Sequence, residues 1–230
     1  MQTAEDFLSG QVLLIDKPLH STSFDVVNLL RWRIRNAFNL KKIKVGHAGT
    51  LDPLATGLLI ICTGKMTKQI DEFQAQAKEY TGTIILGSTT PSYDLETKIN
   101  ATFPTAHITE ALIHDTSKQF IGSIEQYPPV FSAIKKDGKR LYEFARAGEE
   151  VEIKSRIVNI SEFEITKITQ DNLEFRVVCS KGTYIRSLAN DFGKALNSGA
   201  HLSALRRTKI GDFNVNNAIS PEDFVKNLHL

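Results

Sequence analysis

A chain of 230 residues, 41% hydrophobic and 23% charged, has ordinary globular composition and can form a sizeable core, which excludes a fibrous or wholly disordered protein. The N-terminal MQTAEDFLSG carries two acids and no basic segment before an apolar stretch, and no apolar run reaches the roughly 18 residues of a membrane span. Nothing addresses the chain to a membrane or to export, so a cytoplasmic protein is expected. The net charge of +2 says little by itself.

In chain order, GQVLLIDKP reads as a strand that leaves its sheet at Lys17-Pro18. Thr22 or Ser23 then caps a predicted helix on which Phe24, Val27, Leu30, Ile34 and Phe38 recur at helical spacing, with the arginines largely on the other face. The next segment, KVGHAGTLDPLATGLLIICTG (residues 44–64), holds a single acid, Asp52. Asp followed by Pro53 is a helix start signal, so an N-cap is one reading of that carboxylate. The other is chemical. Gly46 and Gly49 allow close backbone approach, His47 offers a flat polar ring and Gly57 permits tight packing behind the acid. A carboxylate at the mouth of such a loop can be a nucleophile or base that needs no cofactor. A phosphate-binding loop is excluded, because Leu59 stands where its first glycine belongs and Met66 follows Gly64-Lys65.

Beyond that segment, Lys78–Leu86 has the alternation and β-branching of a strand, and EFRVVCSKGTYIRSL repeats that character later. Ile108–Phe120 reads as a helix, Asp137-Gly138 as a turn and Leu141–Ala147 as a short helix. Helices and strands mix without a βαβ rhythm, so the expected class is α+β. No repeat, low-complexity tract or linker is present, and one domain over 1–230 is expected. Cys62 and Cys179 sit in apolar runs and are expected buried and reduced. The six histidines show no zinc spacing, so neither metal nor cofactor is expected.

Basic residues cluster three times: Arg31, Arg33, Arg35, Lys41, Lys42 and Lys44; then Lys135, Lys136, Lys139, Arg140 and Arg146, diluted by Asp137 and Glu143; then Arg206, Arg207 and Lys209. Such patches on a nearly neutral protein fit a polyanion bound on one face, or solvated helix faces and turns.

GHAGTLDPLATGLL closely resembles the catalytic motif of the bacterial tRNA pseudouridine synthase B family. The likeness extends in one order through VLLIDKPLHSTSFDVV, KEYTGTIILGSTTPSYDLET, QYPPVFSAIKKDGKRLYEFARAG, CSKGTYIRSLANDFG and AHLSALRRTKIGDF. It implies a pseudouridine synthase fold, a mixed and largely antiparallel sheet flanked by helices with a catalytic cleft, and isomerisation of a uridine in the T loop of tRNA at position 55. It makes Asp52 the nucleophile, attacking either the ribose or the uracil ring. It assigns Tyr80 to stacking on the flipped uracil, His47 to support of the T loop and Arg186 to pairing with the nucleophile. Leu205 becomes an apolar pocket residue beneath the base, where a plain core position is also compatible, and Lys17 the basic residue of a DKP motif. The base must leave its stack, at a cost of a few kcal/mol offset by stacking and edge hydrogen bonds.

Larger family members continue into a small C-terminal RNA-binding domain of the PUA type, whereas NNAISPEDFVKNLHL follows soon after the last catalytic motif here, so no PUA domain is expected. The expected partner is the T-arm stem-loop of tRNA, with no membrane and no obligatory protein partner. Two other classes compete: an RNA chaperone that folds tRNA without modifying it, and a guide-RNA-dependent synthase requiring protein partners.

Overall fold

The computed structural model describes residues 3–132, 134–136, 138–149 and 151–228. Asp137 lies outside them, although its turn partner Gly138 has the expected positive φ of 82°. The elements run α1 (Ala4–Ser9), β1 (Val12–Lys17), α2 (Ser23–Ala37), β2 (Val45–His47), β3 (Ala55–Thr63), α3 (Ile70–Ala75), β4 (Lys78–Leu86), β5 (Ser88–Thr89), β6 (Ala101–Thr102), α4 (Glu110–Lys118) and β7 (Gly122–Gln126). They continue with β8 (Lys135–Lys136), β9 (Lys139–Arg140), α5 (Leu141–Ala147), β10 (Arg156–Thr169), β11 (Asn172–Cys179), α6 (Ile185–Ala195), β12 (Ala200–Ile210), β13 (Phe213–Asn214) and α7 (Pro221–Asn227). The class is α+β. By internal contacts the chain divides into two compact units, residues 1–80 with 205–230, and residues 81–204. The division falls inside β4 and β12 rather than at a linker.

In the first unit, β3 is antiparallel to β1 and to β2 and parallel to β12. Its run LLIICT is buried at every position because both faces of the strand are covered. Leu59 and Ile61 pack with Leu13, Ile15, Val27, Leu30 and Ile34, whereas Leu58, Ile60 and Cys62 pack on the other side with Ile210 and Val215. The helical stripe of α2 is shifted from the expected one. Stepping back from Ile34 through Leu30 and Val27 at the helical period reaches Ser23, which is buried, and leaves Phe24 61% exposed. Thr22 is the cap, in a reciprocal capping box with Asp25.

In the second unit, β10 pairs antiparallel with both β11 and β7. Phe120, Phe163, Phe175 and Phe192 meet edge to face with centroids 5.4–6.3 Å apart, the arrangement that ring quadrupoles favour. Both cysteines are buried. Among the described residues no helix is long and apolar enough to cross a membrane, and no group of three or more His, Cys, Asp or Glu could hold a metal.

At Gly57 β3 lies close against β12: its φ is 103°, and a Cβ there would collide with the backbone of Arg207. Gly57→Ala is therefore expected to destabilise the protein by about 2–4 kcal/mol, from overpacking plus left-handed strain. Urea denaturation checks this, and a change below about 0.5 kcal/mol would mean that the strands separate freely there.

Candidate active site

No helix begins at Pro53, so the N-cap reading of Asp52 is overturned. The residues after it make a tight turn, closed by Ala55 N–H donating to the Asp52 carbonyl at 3.0 Å, and the chain enters β3 directly. The apolar run that follows favours a strand buried on both faces over a helix.

The irregular segment around Asp52 is held by its carbonyls. Arg207 donates from Nη2 to Gly49 O at 3.0 Å and from Nη1 to Thr50 O at 3.5 Å. Ser23 Oγ donates to Leu51 O at 3.1 Å and accepts from Leu51 N–H at 2.8 Å. Ala55 N–H takes the Asp52 carbonyl, and His20 N–H takes that of Pro53 at 2.8 Å. Five consecutive carbonyls thus have donors in a stretch with no helix or sheet ladder to supply them. Gly49 adopts φ 105°, a conformation that glycine enters without penalty.

Strand register explains the charges beneath this loop. Gly57 pairs with Lys17 on β1 and with Arg207 on β12, so one row across three strands presents a lysine, a residue without a side chain, and an arginine on the same face. Alternation along β1 puts Lys17 in the buried row of Leu13 and Ile15. Its Nζ donates to Pro18 O at 2.9 Å and Ser21 O at 2.6 Å. Burial pushes the Lys17 ammonium down to about 8, the Asp52 charge opposes that shift, and the Arg207 charge adds to it. Arg207 is 1% exposed, and Nε donates to Leu58 O at 2.7 Å. His47, at the end of β2, is held below the usual imidazole range by burial and by the Arg207 charge, partly offset by a backbone hydrogen bond with Gly49.

Lys17, His47, Asp52, Tyr80 and Leu205 all fall in the first unit, and Arg186 falls in the second. Tyr80 on β4 is 8% exposed. Leu205 is only half-buried, which corrects the core reading: it shares a face of β12 with Arg207. Arg186 is not a surface residue. It is 4% exposed in the first turn of α6, with Nη1 donating to Ser92 O at 3.2 Å and Nε 3.6 Å from Asp94 Oδ2. The buried Gln126 side chain exchanges two hydrogen bonds with the Tyr184 backbone and so fixes the start of that helix.

The third basic cluster is structural. Arg206 makes a two-pronged ion pair with Asp16 at 2.7 and 3.0 Å, Arg207 is internal, and Lys209 lies 3.4 Å from Glu79. The first cluster gains members instead: Lys42 and Lys44 line a cavity of about 340 Å³ together with Lys65 and Lys68. Ser23, Asp94 and Arg207 were not singled out as site residues by sequence reasoning. All three lie inside the quoted motifs VLLIDKPLHSTSFDVV, KEYTGTIILGSTTPSYDLET and AHLSALRRTKIGDF, and Ser23 also falls on the α2 stripe.

The description "TruB family pseudouridylate synthase (N terminal domain)" matches residues 35–185, and "tRNA pseudouridylate synthase B C-terminal domain" matches residues 186–230. The chain belongs to the TruB family. A tRNA pseudouridine synthase B of Flavobacterium johnsoniae is 67% identical over 98% of this chain and 99% of its own length. One of Parabacteroides distasonis is 57% identical over 95% and 93%. Among solved structures, a chain of a Cbf5-Nop10-Gar1 complex superposes with a TM-score of 0.73 at 31% identity, covering 98% of this chain and 56% of that one. One from an archaeal box H/ACA Nop10-Cbf5 complex gives 0.68 at 27%, covering 97% and 55%. This TruB-family chain thus spans little more than half the length of those solved relatives, and its fold is that of a pseudouridine synthase.

The Lys17 environment has a pH signature. With the folded value near 8 and the unfolded value near 10.5, the unfolded state binds more protons between them, so the contribution of Lys17 to stability improves as pH rises through that window. In Lys17→Met this gain is absent. The stability difference, wild type minus variant, is expected to move toward wild type by on the order of 2 kcal/mol between pH 7.5 and 10. Paired denaturant titrations at the two pH values measure it, and a difference that stays flat would remove the depressed lysine.

Proposed function

We propose that this protein isomerises uridine to pseudouridine in the T loop of tRNA, at position 55, with Asp52 as nucleophile. The observation that carries the assignment is the segment around Asp52: an acid that caps no helix stands in an irregular stretch whose every carbonyl from Gly49 to Pro53 is engaged. The Asp52 carboxylate attacks the ribose or the uracil ring, the bond between ribose and ring nitrogen breaks, and the base turns. A bond from ribose to C5 then forms, the bond to Asp52 breaks, and the carboxylate is returned free. The C5 proton leaves and the released nitrogen gains one, so atoms balance and no redox partner or metal is required.

The roles of the other residues follow the resemblance. Tyr80 stacks on the extruded base, Leu205 offers it an apolar surface, His47 supports the T loop, Lys17 serves the DKP segment and Arg186 serves the nucleophile. Their local settings support these roles. A half-buried leucine beside the Arg207 row suits a pocket wall, a buried arginine anchored by Asp94 is no solvated surface group, and a neutral imidazole can accept as well as donate to RNA. The lysines around the cavity at Lys42, Lys44, Lys65 and Lys68 suit the phosphate backbone. The protein acts in the cytoplasm on tRNA, without an obligatory protein partner. The likeness to chains from Nop10- and Gar1-containing complexes favours a second reading, a partner-dependent enzyme. Release of tritium from C5-labelled uridine in tRNA by the purified chain alone supports the first reading, and activity only with added proteins or a guide supports the second.

Asp52→Asn is expected to fold, because the turn uses the backbone of residue 52 and the amide keeps the side-chain size. Pseudouridine formation should be lost while tRNA binding stays within about tenfold, or roughly 1.4 kcal/mol. Comparable turnover by that variant, freed of wild-type enzyme, would sink the catalytic assignment. Replacing Lys42, Lys44 and Lys68 together by Gln should weaken tRNA binding and flatten its salt dependence, each lost phosphate contact lowering the slope by somewhat under one unit. An unchanged slope would return those lysines to a solvated face.

A further inference from the structure

We infer that Arg207 is a positioning residue for the reaction, acting through the backbone of the loop that carries Asp52. The inference rests on the functional reading above. A fully buried guanidinium ordinarily has a carboxylate partner, because an unpaired internal charge is expensive. Among the described residues the hydrogen bonds of Arg207 go instead to main-chain carbonyls: Leu58 on β3, and Gly49 and Thr50 just before Asp52. The fork therefore ties the loop to the strand that follows the turn, from opposite ends of one guanidinium. A lysine, with a single nitrogen, cannot span both.

Three further features are built around the same side chain. Gly57, its neighbour in the row, brings the β12 backbone so close that any side chain there would strike it. Gly49 turns its carbonyl to the fork through a left-handed conformation. Arg206, one residue earlier, points to the opposite face and is absorbed by Asp16, so adjacent arginines of identical type do different work. Ser23 holds the next carbonyl, Leu51, from an independent element, which makes it the natural comparison.

The test uses the full-length protein and tRNA. Arg207→Lys keeps an internal cation, and Arg207→Met removes it. Under single-turnover conditions with saturating enzyme, Arg207→Met is expected to slow pseudouridine formation by about a hundredfold, the order expected of a misplacement near 1 Å, with tRNA Kd within about threefold. Arg207→Lys should fall between it and wild type. Two readouts are independent of activity. Hydrogen exchange in the peptide spanning residues 46–56 should accelerate at least about tenfold in Arg207→Lys while peptides from residues 81–204 stay unchanged, a local opening rather than global loss of stability. The His47 imidazole, followed by NMR, should titrate at higher pH in Arg207→Met, because a nearby positive charge has gone. Should Arg207→Met fail to fold, Arg207→Lys and Ser23→Ala carry the same comparison. A single-turnover rate within about threefold of wild type in Arg207→Lys, together with unchanged exchange in residues 46–56, overturns the inference. If that occurs while Asp52→Asn is inactive, the functional reading stands and only the role of Arg207 falls. If wild type forms no pseudouridine, the functional reading falls first.

Discussion

The first unit is organised around a single row of three residues, Lys17, Gly57 and Arg207, in register across β1, β3 and β12. Two cations sit in that row with no carboxylate of their own in it, and each is solvated by main-chain oxygens instead of water. Such an arrangement is costly unless something negative is near. The Asp52 charge stabilises the Lys17 ammonium, and the carbonyl dipoles of the loop take up the guanidinium. The charges beneath the loop and the loop itself are therefore one construction. Adding a side chain at Gly57 would push the strands apart, and removing either cation would take a donor away from the carbonyls it now binds.

Much of this was readable from the sequence, and the limits have physical causes. Elements with a strong period, such as β1, α2, β4 and α5, fall where hydrophobic spacing puts them, because one buried face is enough to fix them. The glycine behind the acid was legible as a close-packing position, and so it is. The Asp52-Pro53 pair misled as a helix start, since a cap signal is local whereas the strand that follows is set by burial on two sides, a tertiary property. Phe24 misled for a related reason: counting backward along α2 by the helical period lands on a serine, and a bulky residue one position later draws attention away from it.

The charged residues show the same division. Arg206, Arg207 and Lys209 read as one basic patch because composition cannot see which face of a strand a side chain takes or what waits there. In the fold one is paired, one is internal and one sits beside Glu79. Conversely, Lys65 and Lys68 escaped notice because about twenty residues separate them from Lys42 and Lys44, and only the fold closes that distance. Asp94 lies within the KEYTGTIILGSTTPSYDLET stretch, but its role depends on a loop, with a tyrosine at φ 64° and a dense set of side-chain hydrogen bonds, that only the fold builds.

The first unit is made of both chain ends, 1–80 and 205–230, with about 120 residues of the second unit between them. A ribosome therefore delivers the Asp52 loop long before it delivers β12. Ser23 and His20, which precede the loop in the chain, can engage Leu51 and Pro53 at once, but the donors for Gly49 and Thr50 arrive only near the end of synthesis. Contacts spanning some 150 residues carry a high loop-closure entropy and form late. A growing chain, or one cleaved before β12, would thus carry its nucleophile on a half-fastened loop, and competence for chemistry would be acquired only with β12.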